Sequence, residues 1–478
     1  MRILLRFCPE QSTVLRARLE YAFRLFCAIY GHEPVLGTGQ GNADLTITYA
    51  QDGGSQNIVR LSNRYPERDI SRPAPEPVPF SQDGEKTVLF YGAIPGVQPD
   101  WLAEIFEWVS CADEYSIKGH DSVGRVPFSA SYIGRHHLDP RLPYAAIAMR
   151  CLQIAIARLR AGCLLRPACP VASANHLVVN THDVDFLPTR RMESFRRLAK
   201  NSLISAMHYK TAGAANVQAK RALAVAFGAR DPLNQIGPLA DDEHSQGVSA
   251  SYYFLCRKAH RRDGNYSIDE PATVAIMDTL KNENMEVGVH GSYRSLEEPD
   301  GLAAEFDRLR ALGPNPIGGR QHWLRFTVPR LVQAVQHAGA AYDASIGWPD
   351  DPGYRAGACF AFPPYDFERE APAPFLEIPL VVMDRAALSS GNHWDGGMGG
   401  ISEVLASSRR YGWGGVSVLW HPTAFGGGQY PVGVGNAFWD LLDEGLRHHD
   451  TWLSAASFVE YVWQRYTDAG LLPARRLQ

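Results

Sequence analysis

Short apolar runs, each followed by polar residues and then by helical sequence, recur through the chain after about residue 175. The runs are 176–180, 250–255, 285–289, 338–342, 375–382 and 415–420. Strands that alternate with helical segments predict parallel βαβ units. In a parallel barrel, the residues just past the strand C-termini all point into one mouth. The residues in such places are Asp183, Asp185, His290, Asp343 and His421. We therefore expect these five side chains to meet.

The first 170 residues show a different pattern. Residues 1–10 are typical of a strand and 11–30 of an amphipathic helix, and five prolines between 66 and 79 predict an exposed connection. Pro167 and Pro170 mark a boundary. We predict a smaller α/β domain over 1–170, without a catalytic constellation, followed by an α/β domain over 171–478. The second domain is predicted to be a distorted, open β/α barrel of seven or eight strands.

Composition excludes several classes of protein. Of the 478 residues, 45% are hydrophobic, which excludes a disordered, collagenous or coiled-coil chain. Lys+Arg is 47 and Asp+Glu is 51, so the net charge of −4 gives no global footprint for nucleic acid. No run of 18 apolar residues occurs, which predicts no membrane span. The eight scattered cysteines form no CxxC pair and suit a reducing compartment, so we predict a cytoplasmic location.

Carboxylates and imidazoles at one barrel mouth suit metal-assisted hydrolysis. A divalent cation held by His and carboxylate lowers the pKa of a bound water. A second carboxylate then takes the proton as the water attacks, and an acid on the opposite side protonates the leaving amine. Asp183 and Asp185 are two residues apart just past a strand, so one can reach a metal while the other faces the water.

Five motifs over 175–425 resemble those of the NodB-type polysaccharide deacetylases, which are carbohydrate esterases with a distorted β/α barrel. The matching segments are Asp183-Val-Asp185, Glu286-Val-Gly-Val-His290, Gly319-Arg320-Gln-His322-Trp, Asp343-Ala-Ser345-Ile-Gly-Trp348 and Leu419-Trp-His421. Further segments are similar to a branch of cytoplasmic members with an extra N-terminal domain. They are Asp263-Gly-Asn-Tyr266, Val289-His-Gly-Ser-Tyr293 and Tyr354-Arg-Ala-Gly357.

The resemblance implies a role for each matching residue. Asp183 would be the general base, and Arg320 would brace it. Asp185 and His290 would be metal ligands, and the metal would be a divalent ion such as Zn²⁺. His421 would be the general acid, and Asp343 would orient it. Trp348 would line the substrate cleft. Independently of the resemblance, the aromatic rings of Tyr293, Trp323 and Trp420 could stack on a sugar, and the predicted substrate-binding residues are Tyr293, Trp348 and Trp420.

One position departs from the family pattern. The usual second metal-binding His follows the first by four residues, but Arg294 stands there and a cation cannot ligate a metal. His322 is the proposed replacement, and His182 and His393 are weaker alternatives. If none of them reaches the metal, the protein would be inactive or metal-free.

These expectations define one function and two alternatives. The predicted function is a deacetylase that hydrolyses an N-acetyl group on an amino sugar, acting on a cytoplasmic precursor of a surface glycan. The first alternative is a catalytically inactive glycan-binding or assembly protein, which Arg294 favours. The second is a hydrolase of a non-sugar C–N amide bond on the same fold. The sequence does not predict an oligomeric state.

Overall fold

The computed structural model describes residues 1–37, 43–49, 57–63, 65–160, 162–163, 166–188, 191–207, 212–385, 399–426 and 433–474. In the described part, no helix combines the length and apolar character that crossing a bilayer requires. All eight cysteines are free thiols.

The N-terminal segment combines a small parallel sheet with packed helices. Its elements are β1 (Arg2–Arg6), α1 (Thr13–Tyr30), β2 (Glu33–Leu36), β3 (Leu45–Thr48), β4 (Ile58–Arg60), β5 (Val78–Gln82), β6 (Glu85–Leu89), α2 (Trp101–Val109), α3 (Tyr132–Arg135) and α4 (Tyr144–Leu159). The strand order is β2-β1-β3-β4, all parallel, while β5 and β6 form a separate antiparallel pair. Helix α1 starts where the Ser12 side chain accepts from the Leu15 amide, and it ends at Gly31 in the left-handed conformation.

The rest of the chain alternates strands with helices, as βαβ units require. Its first elements are β7 (His176–Val184), α5 (Arg191–Met207), α6 (Ala212–Ala226), α7 (Ile236–Ser245), β8 (Ser251–Leu255), α8 (Pro271–Asn282), β9 (Glu286–Gly291), α9 (Gly301–Arg310), β10 (Gly318–Gln321), α10 (Val328–His337) and β11 (Tyr342–Asp343). The others are β12 (Tyr365–Asp366), β13 (Ala371–Pro372), β14 (Leu376–Glu377), β15 (Leu380–Met383), α11 (Gly399–Tyr411), β16 (Gly414–Leu419), α12 (Pro422–Phe425), α13 (Val434–Arg447), β17 (Asp450–Leu453) and α14 (Ala455–Asp468). Short 3₁₀ turns cover Ala112–Ser116, Phe128–Ala130 and His322–Leu324.

One large sheet carries the site. Its strand order is β14-β11-β10-β9-β8-β7-β16-β15, with β17 paired to the first half of β7, and its pairs are parallel. The chain just past β11 meets the start of β15 at a parallel bridge between Gly347 and Leu380. The sheet therefore curls into a barrel-like form, and the predicted α/β class with a parallel barrel-like sheet is confirmed. Likeness to the NodB barrel in particular stays a prediction.

The two parts of the chain share one continuous apolar core. Ion pairs also cross residue 170. The Arg355 guanidinium lies 2.7 Å from the buried Glu114 carboxylate, and the Arg18 guanidinium lies 2.6 Å from the partly buried Glu370 carboxylate. The indole N–H of Trp413 donates to the Ile29 carbonyl. The division into domains at residue 170 stays a prediction.

Candidate metal centre

Polar side chains at the C-terminal ends of five strands line one cavity of about 100 Å³. Asp183 and Asp185 lie at the end of β7, and His290 lies at the end of β9. His322, Asp384 and His421 follow the ends of β10, β15 and β16. The cavity is lined by Arg125, Asp183, Asp185, His290, His322, Trp323, Leu324, Pro349, Met383, Arg385, Leu419 and His421. Five of the residues that the sequence pointed to are therefore brought together: both aspartates and His290, His322 and His421.

The tautomers of His290 and His322 follow from their hydrogen bonds. Nδ1 of His290 lies 2.9 Å from the Arg320 carbonyl, and Nε2 of His322 lies 2.8 Å from the Arg262 carbonyl. A carbonyl only accepts, so each of these nitrogens carries a proton. The other nitrogens, Nε2 of His290 and Nδ1 of His322, are 3.0 Å apart. In the neutral form of each ring, this second nitrogen carries a lone pair that points at the other ring.

Asp185 completes a triangle of donor atoms. Its Oδ1 lies 3.3 Å from Nε2 of His290 and 3.2 Å from Nδ1 of His322. That oxygen is buried and accepts no hydrogen bond from the part of the chain that the structure describes. Ligands of a tetrahedral zinc ion at ~2.1 Å lie about 3.4 Å apart, close to the three separations here. The donor set and its spacing therefore fit a divalent cation, and these three residues form the His/Asp group with metal-binding geometry among the described residues.

The electrostatics of the triangle also favour a positive charge at its centre. Burial opposes ionisation of Asp185, but the neighbouring His322, His290 and His421 together hold its pKa well below the usual range. Burial likewise acts against a charged His322, and the Asp185 carboxylate outweighs it and raises the pKa of the ring. The carboxylate therefore stays ionised, as a metal ligand must.

Asp183 is fixed by a fully buried arginine. Nη1 of Arg320 donates to Oδ1 of Asp183 at 3.0 Å and to the Thr181 hydroxyl at 2.8 Å. Nη2 of Arg320 donates to the Ser417 hydroxyl, and Nε donates to the Ala344 carbonyl. The other Asp183 oxygen lies 3.6 Å from Nε2 of His290. Arg320 thus holds this carboxylate beside the donor triangle.

His421 is oriented by Asp384, and the expected pairing with Asp343 is corrected. Nδ1 of His421 donates to the Asp384 carboxylate at 2.9 Å, and the His421 amide donates to the same group at 2.8 Å. Nε2 of His421 lies 3.4 Å from Oδ2 of Asp185. Burial opposes a charged ring, but Asp384 and Asp185 together raise the pKa of His421 well above its usual range.

Asp343 instead lies in β11, next to Ala344, whose carbonyl accepts a hydrogen bond from Arg320. In the parallel pair of β11 and β14 it stands directly opposite Glu377, and its Oδ1 accepts from the Ser345 amide. Burial raises the pKa of Asp343 to about 6 and the pKa of Glu377 well above its usual range. Burial, together with the neighbouring Asp343 carboxylate, therefore favours the protonated form of Glu377. The physical reason for the correction is strand order: β15 with Asp384 adjoins β16, whereas β11 does not.

The three aromatic residues expected to bind substrate do not line this cavity. Trp420 is fully buried beside α13, where its indole N–H donates to the Val434 carbonyl. Trp348 lines a separate small cavity with Arg355, and Tyr293 stacks on His260. Trp323 lines the cavity and leaves 39% of its surface exposed. Its backbone is left-handed, with φ of 64°, a conformation that strains a bulky residue.

His182, the alternative to His322 that the structure describes, does not reach the triangle. Strand residues alternate between faces, so His182 points away from the side of Asp183. Both of its nitrogens are engaged, one with the Trp420 carbonyl and one with the Glu243 carboxylate. Arg294 is exposed and lies 3.6 Å from Glu297. His393 lies outside the described residues.

Three further residues at this site were missed from the sequence: Asp384, which contacts His421, and two arginines that line the cavity. Asp384 follows the run 375–382, so the same strand-end rule could have identified it. Arg385, also at the cavity, comes directly after it. Arg125 comes from the N-terminal segment, which was expected to carry no site residue, and it donates to the Trp323 carbonyl at 3.1 Å. No pattern in the sequence links it to the barrel.

Comparisons with known proteins give little further guidance. No family model matches the sequence. No curated protein matches it either. Among solved structures, the allantoinase Puue is similar with a TM-score of 0.40 and 11% identity, over 62% of this chain and 92% of that chain. A GH138 enzyme that targets pectin rhamnogalacturonan II is similar with a TM-score of 0.21 and 9% identity, over 88% of this chain and 58% of that chain. At these TM-scores neither likeness carries an argument about this chain.

Proposed function

We propose that this protein is a metal-dependent hydrolase that removes an N-acetyl group from an amino sugar in a precursor of a surface glycan. The observation that carries the proposal is the donor triangle of Asp185, His290 and His322, with a braced carboxylate on one side and an oriented imidazole on the other. The order of the sequence motifs, which resembles that of NodB-type deacetylases, supports the same chemistry.

Asp185, His290 and His322 would hold the ion, and two imidazoles with one carboxylate are a donor set that suits zinc. When bound there, a divalent ion supplies a Lewis acid that lowers the pKa of a water molecule and polarises an amide carbonyl. The fixed rings need little rearrangement, because backbone carbonyls already set both tautomers.

The proton transfers belong to two residues of the chain. Asp183, held in place by Arg320, accepts a proton from the water that adds to the acyl carbon. His421 donates its Nε2 proton to the amide nitrogen as the C–N bond breaks, so the products are acetate and a free amine. Asp384 keeps the ring oriented for that donation. The exposed ring of Trp323 lies at the cavity, where it can stack on a sugar.

A second candidate function is hydrolysis of a small, anionic, non-sugar amide. The observation that favours it is the pair of arginines at the cavity, Arg125 and Arg385, since guanidinium groups recognise carboxylates. Each already has an acidic neighbour, Asp121 and Asp350 respectively. We therefore place this function second.

The test is metal content together with amine release. The full chain, supplemented with zinc, is expected to bind one ion and to release acetate from acetylated amino sugars but not from linear amides or ureides. His322→Ala should lose more affinity for zinc than the roughly 10–100-fold that removal of an outer-shell partner causes. Arg294→Ala is the matched control and should keep the wild-type affinity, because its side chain faces solvent.

Three other outcomes of these experiments would contradict part or all of the proposal. Wild-type chain that stays metal-free after zinc supplementation would contradict the proposal and support a non-catalytic glycan-binding protein. Zinc binding with release from linear amides alone would support the second candidate function. Equal zinc affinity in His322→Ala and wild type would remove His322 from the ligand set.

A further inference from the structure

The helical hairpin of α5 and α6 exposes an unusual amount of apolar surface. The structure exposes twelve large apolar side chains among its described residues, and half of them lie within this one stretch. They are Met192, Leu203, Met207, Val217, Leu223 and Phe227. Phe227 is 88% exposed and Met207 is 71% exposed. Scattered apolar residues on a surface are normal, but a concentration of this kind marks a surface that contacts something.

These side chains lie on α5, on α6 and just past the end of α6, and those of α5 share one face. With 3.6 residues per turn, Met192, Leu203 and Met207 fall within about 60° of one another around α5. The opposite faces hold the hairpin to the protein: Leu198, Ala222, Val225 and two loop residues form a small core of their own. The exposed face is therefore a second apolar face on helices that already have a buried one.

The same hairpin is strongly basic. Between residues 191 and 230 the sequence has eight Lys and Arg residues and a single acidic residue, Glu193, in a chain whose net charge is −4. Arg196 and Lys200 lie on the exposed side of α5, and Lys220 lies on that of α6. Cations interleaved with exposed apolar side chains are typical of helices that lie in the interface of an anionic membrane.

We propose that the α5–α6 hairpin docks this protein on the surface of an anionic lipid bilayer. A second copy of the chain is a poor partner, because two such basic surfaces repel each other. The apolar side chains extend along about 25 Å of helix and line neither of the two cavities described above. That surface suits a fluid interface better than a protein partner, whose anchor residues need pockets.

The hairpin lies beside the mouth of the barrel. α5 begins six residues after Asp185, and Nη1 of Arg221 donates to the carbonyl of Gly426, just past α12. Docking would therefore bring the C-terminal end of the sheet close to the lipid surface. Docking requires only the exposed apolar and basic side chains of the hairpin, so it does not depend on which reaction the cavity performs.

Co-sedimentation of the full chain with lipid vesicles tests the proposal. We expect strong partitioning to vesicles that contain phosphatidylglycerol, weak partitioning to pure phosphatidylcholine, and a decrease at high salt. Met207→Asp combined with Phe227→Asp should lower partitioning at least about tenfold, and so should Arg196→Glu combined with Lys200→Glu. The matched controls are Tyr461→Asp on α14, also exposed, and Lys118→Glu, which should bind like wild type.

Circular dichroism and melting curves show whether each variant is folded, and the charge pair provides a second route if the aspartates disturb the hairpin. Equal binding to neutral and anionic vesicles, or no binding to either, would overturn the proposal. Loss of self-association in the Met207→Asp, Phe227→Asp variant, measured by sedimentation velocity, would identify a second copy as the partner. Retention on immobilised polyglutamate without vesicle binding would point to an acidic protein instead.

Discussion

Nδ1 of His421, just past β16, donates to the carboxylate of Asp384, just past the neighbouring strand β15. This contact decides which acidic residue positions the proposed general acid. Asp384 is fully buried and touches both the ring and the backbone amide of His421, so it fixes the ring and its tautomer. Asp343, by contrast, stands opposite Glu377 in the pair of β11 and β14.

We predict that Asp384→Asn lowers kcat by about 10²–10⁴-fold, because the His421 ring loses the carboxylate that orients it. A loss of this size is the usual contribution of a general acid or base. KM and zinc content should stay close to those of wild type, since Asp384 contacts none of the three ligands in the structure. Steady-state kinetics and metal analysis give these quantities. A larger loss of kcat in Asp343→Asn than in Asp384→Asn would restore the original pairing.

Individual residues were predictable where a strand-end rule applied. Asp183, Asp185, His290 and His421 follow apolar runs, and they meet in the cavity as expected. His322 could be inferred only as a replacement for a missing ligand, because its position depends on a turn and not on a strand. Asp384 obeys the same rule as the others, but the resemblance had already assigned its role to Asp343.

Helix α2 starts at a carboxyl group that is buried as well as capping. Oδ1 of Asp100 accepts from the Ala103 amide at 3.1 Å and from the Tyr49 hydroxyl at 2.6 Å. Burial raises the pKa of Asp100 to about 7 despite these bonds. The other oxygen, Oδ2, is buried without a hydrogen-bond partner among the described residues. The N-terminus of α2 is thus capped by a carboxyl group that changes charge near neutral pH.

Asp100→Asn should flatten the pH dependence of stability between pH 4 and 7. A carboxyl whose pKa is higher in the folded chain stabilises the fold fully below its unfolded pKa, and that contribution is lost as pH rises through about 7. A difference of about three pKa units corresponds to at most about 4 kcal/mol. Asn keeps an acceptor for Tyr49 and Ala103, so urea unfolding at both pH values isolates the charge. Parallel pH profiles for variant and wild type would contradict the prediction.

Elements with apolar runs were predictable, and those without were not. β7 and β16 coincide with expected strands because they are buried on both faces. β10 reads Gly-Gly-Arg-Gln and has no apolar run. A Cβ on Gly318 would lie only 2.4 Å from the Tyr342 ring, so neighbouring side chains fill the space there. Pro379 divides the expected strand 375–382 into β14 and β15.

Ion pairs of unequal exposure join the N-terminal segment to the barrel-like sheet. The pair of Arg355 and Glu114 is almost fully buried, whereas Arg141 and Glu403 are both well exposed. Breaking a buried pair leaves an uncompensated charge and costs about 3–5 kcal/mol, while an exposed pair contributes about 0–1 kcal/mol. Together with the shared core, this predicts that the two parts unfold together.

Calorimetry should therefore show one cooperative unfolding transition for the whole chain. Arg355→Ala should lower the midpoint of that single transition, and the matched variant Arg141→Ala should leave it nearly unchanged. Two separate transitions, with the substitution affecting only one, would show that residues 1–170 fold independently. In that case the domain division expected from the prolines near 170 would be correct.

The turn at Trp323 places a proposed metal ligand, His322, directly before a residue that lines the cavity. His322 belongs to the donor triangle, and Trp323 lines the cavity. Arg125, from the N-terminal segment, donates to the carbonyl of Trp323. A library that randomises this turn to broaden substrate range would therefore displace the metal ligand as often as it widened the entrance. Directed evolution has a safer starting point at Pro349, which also lines the cavity and is not one of the three proposed metal ligands.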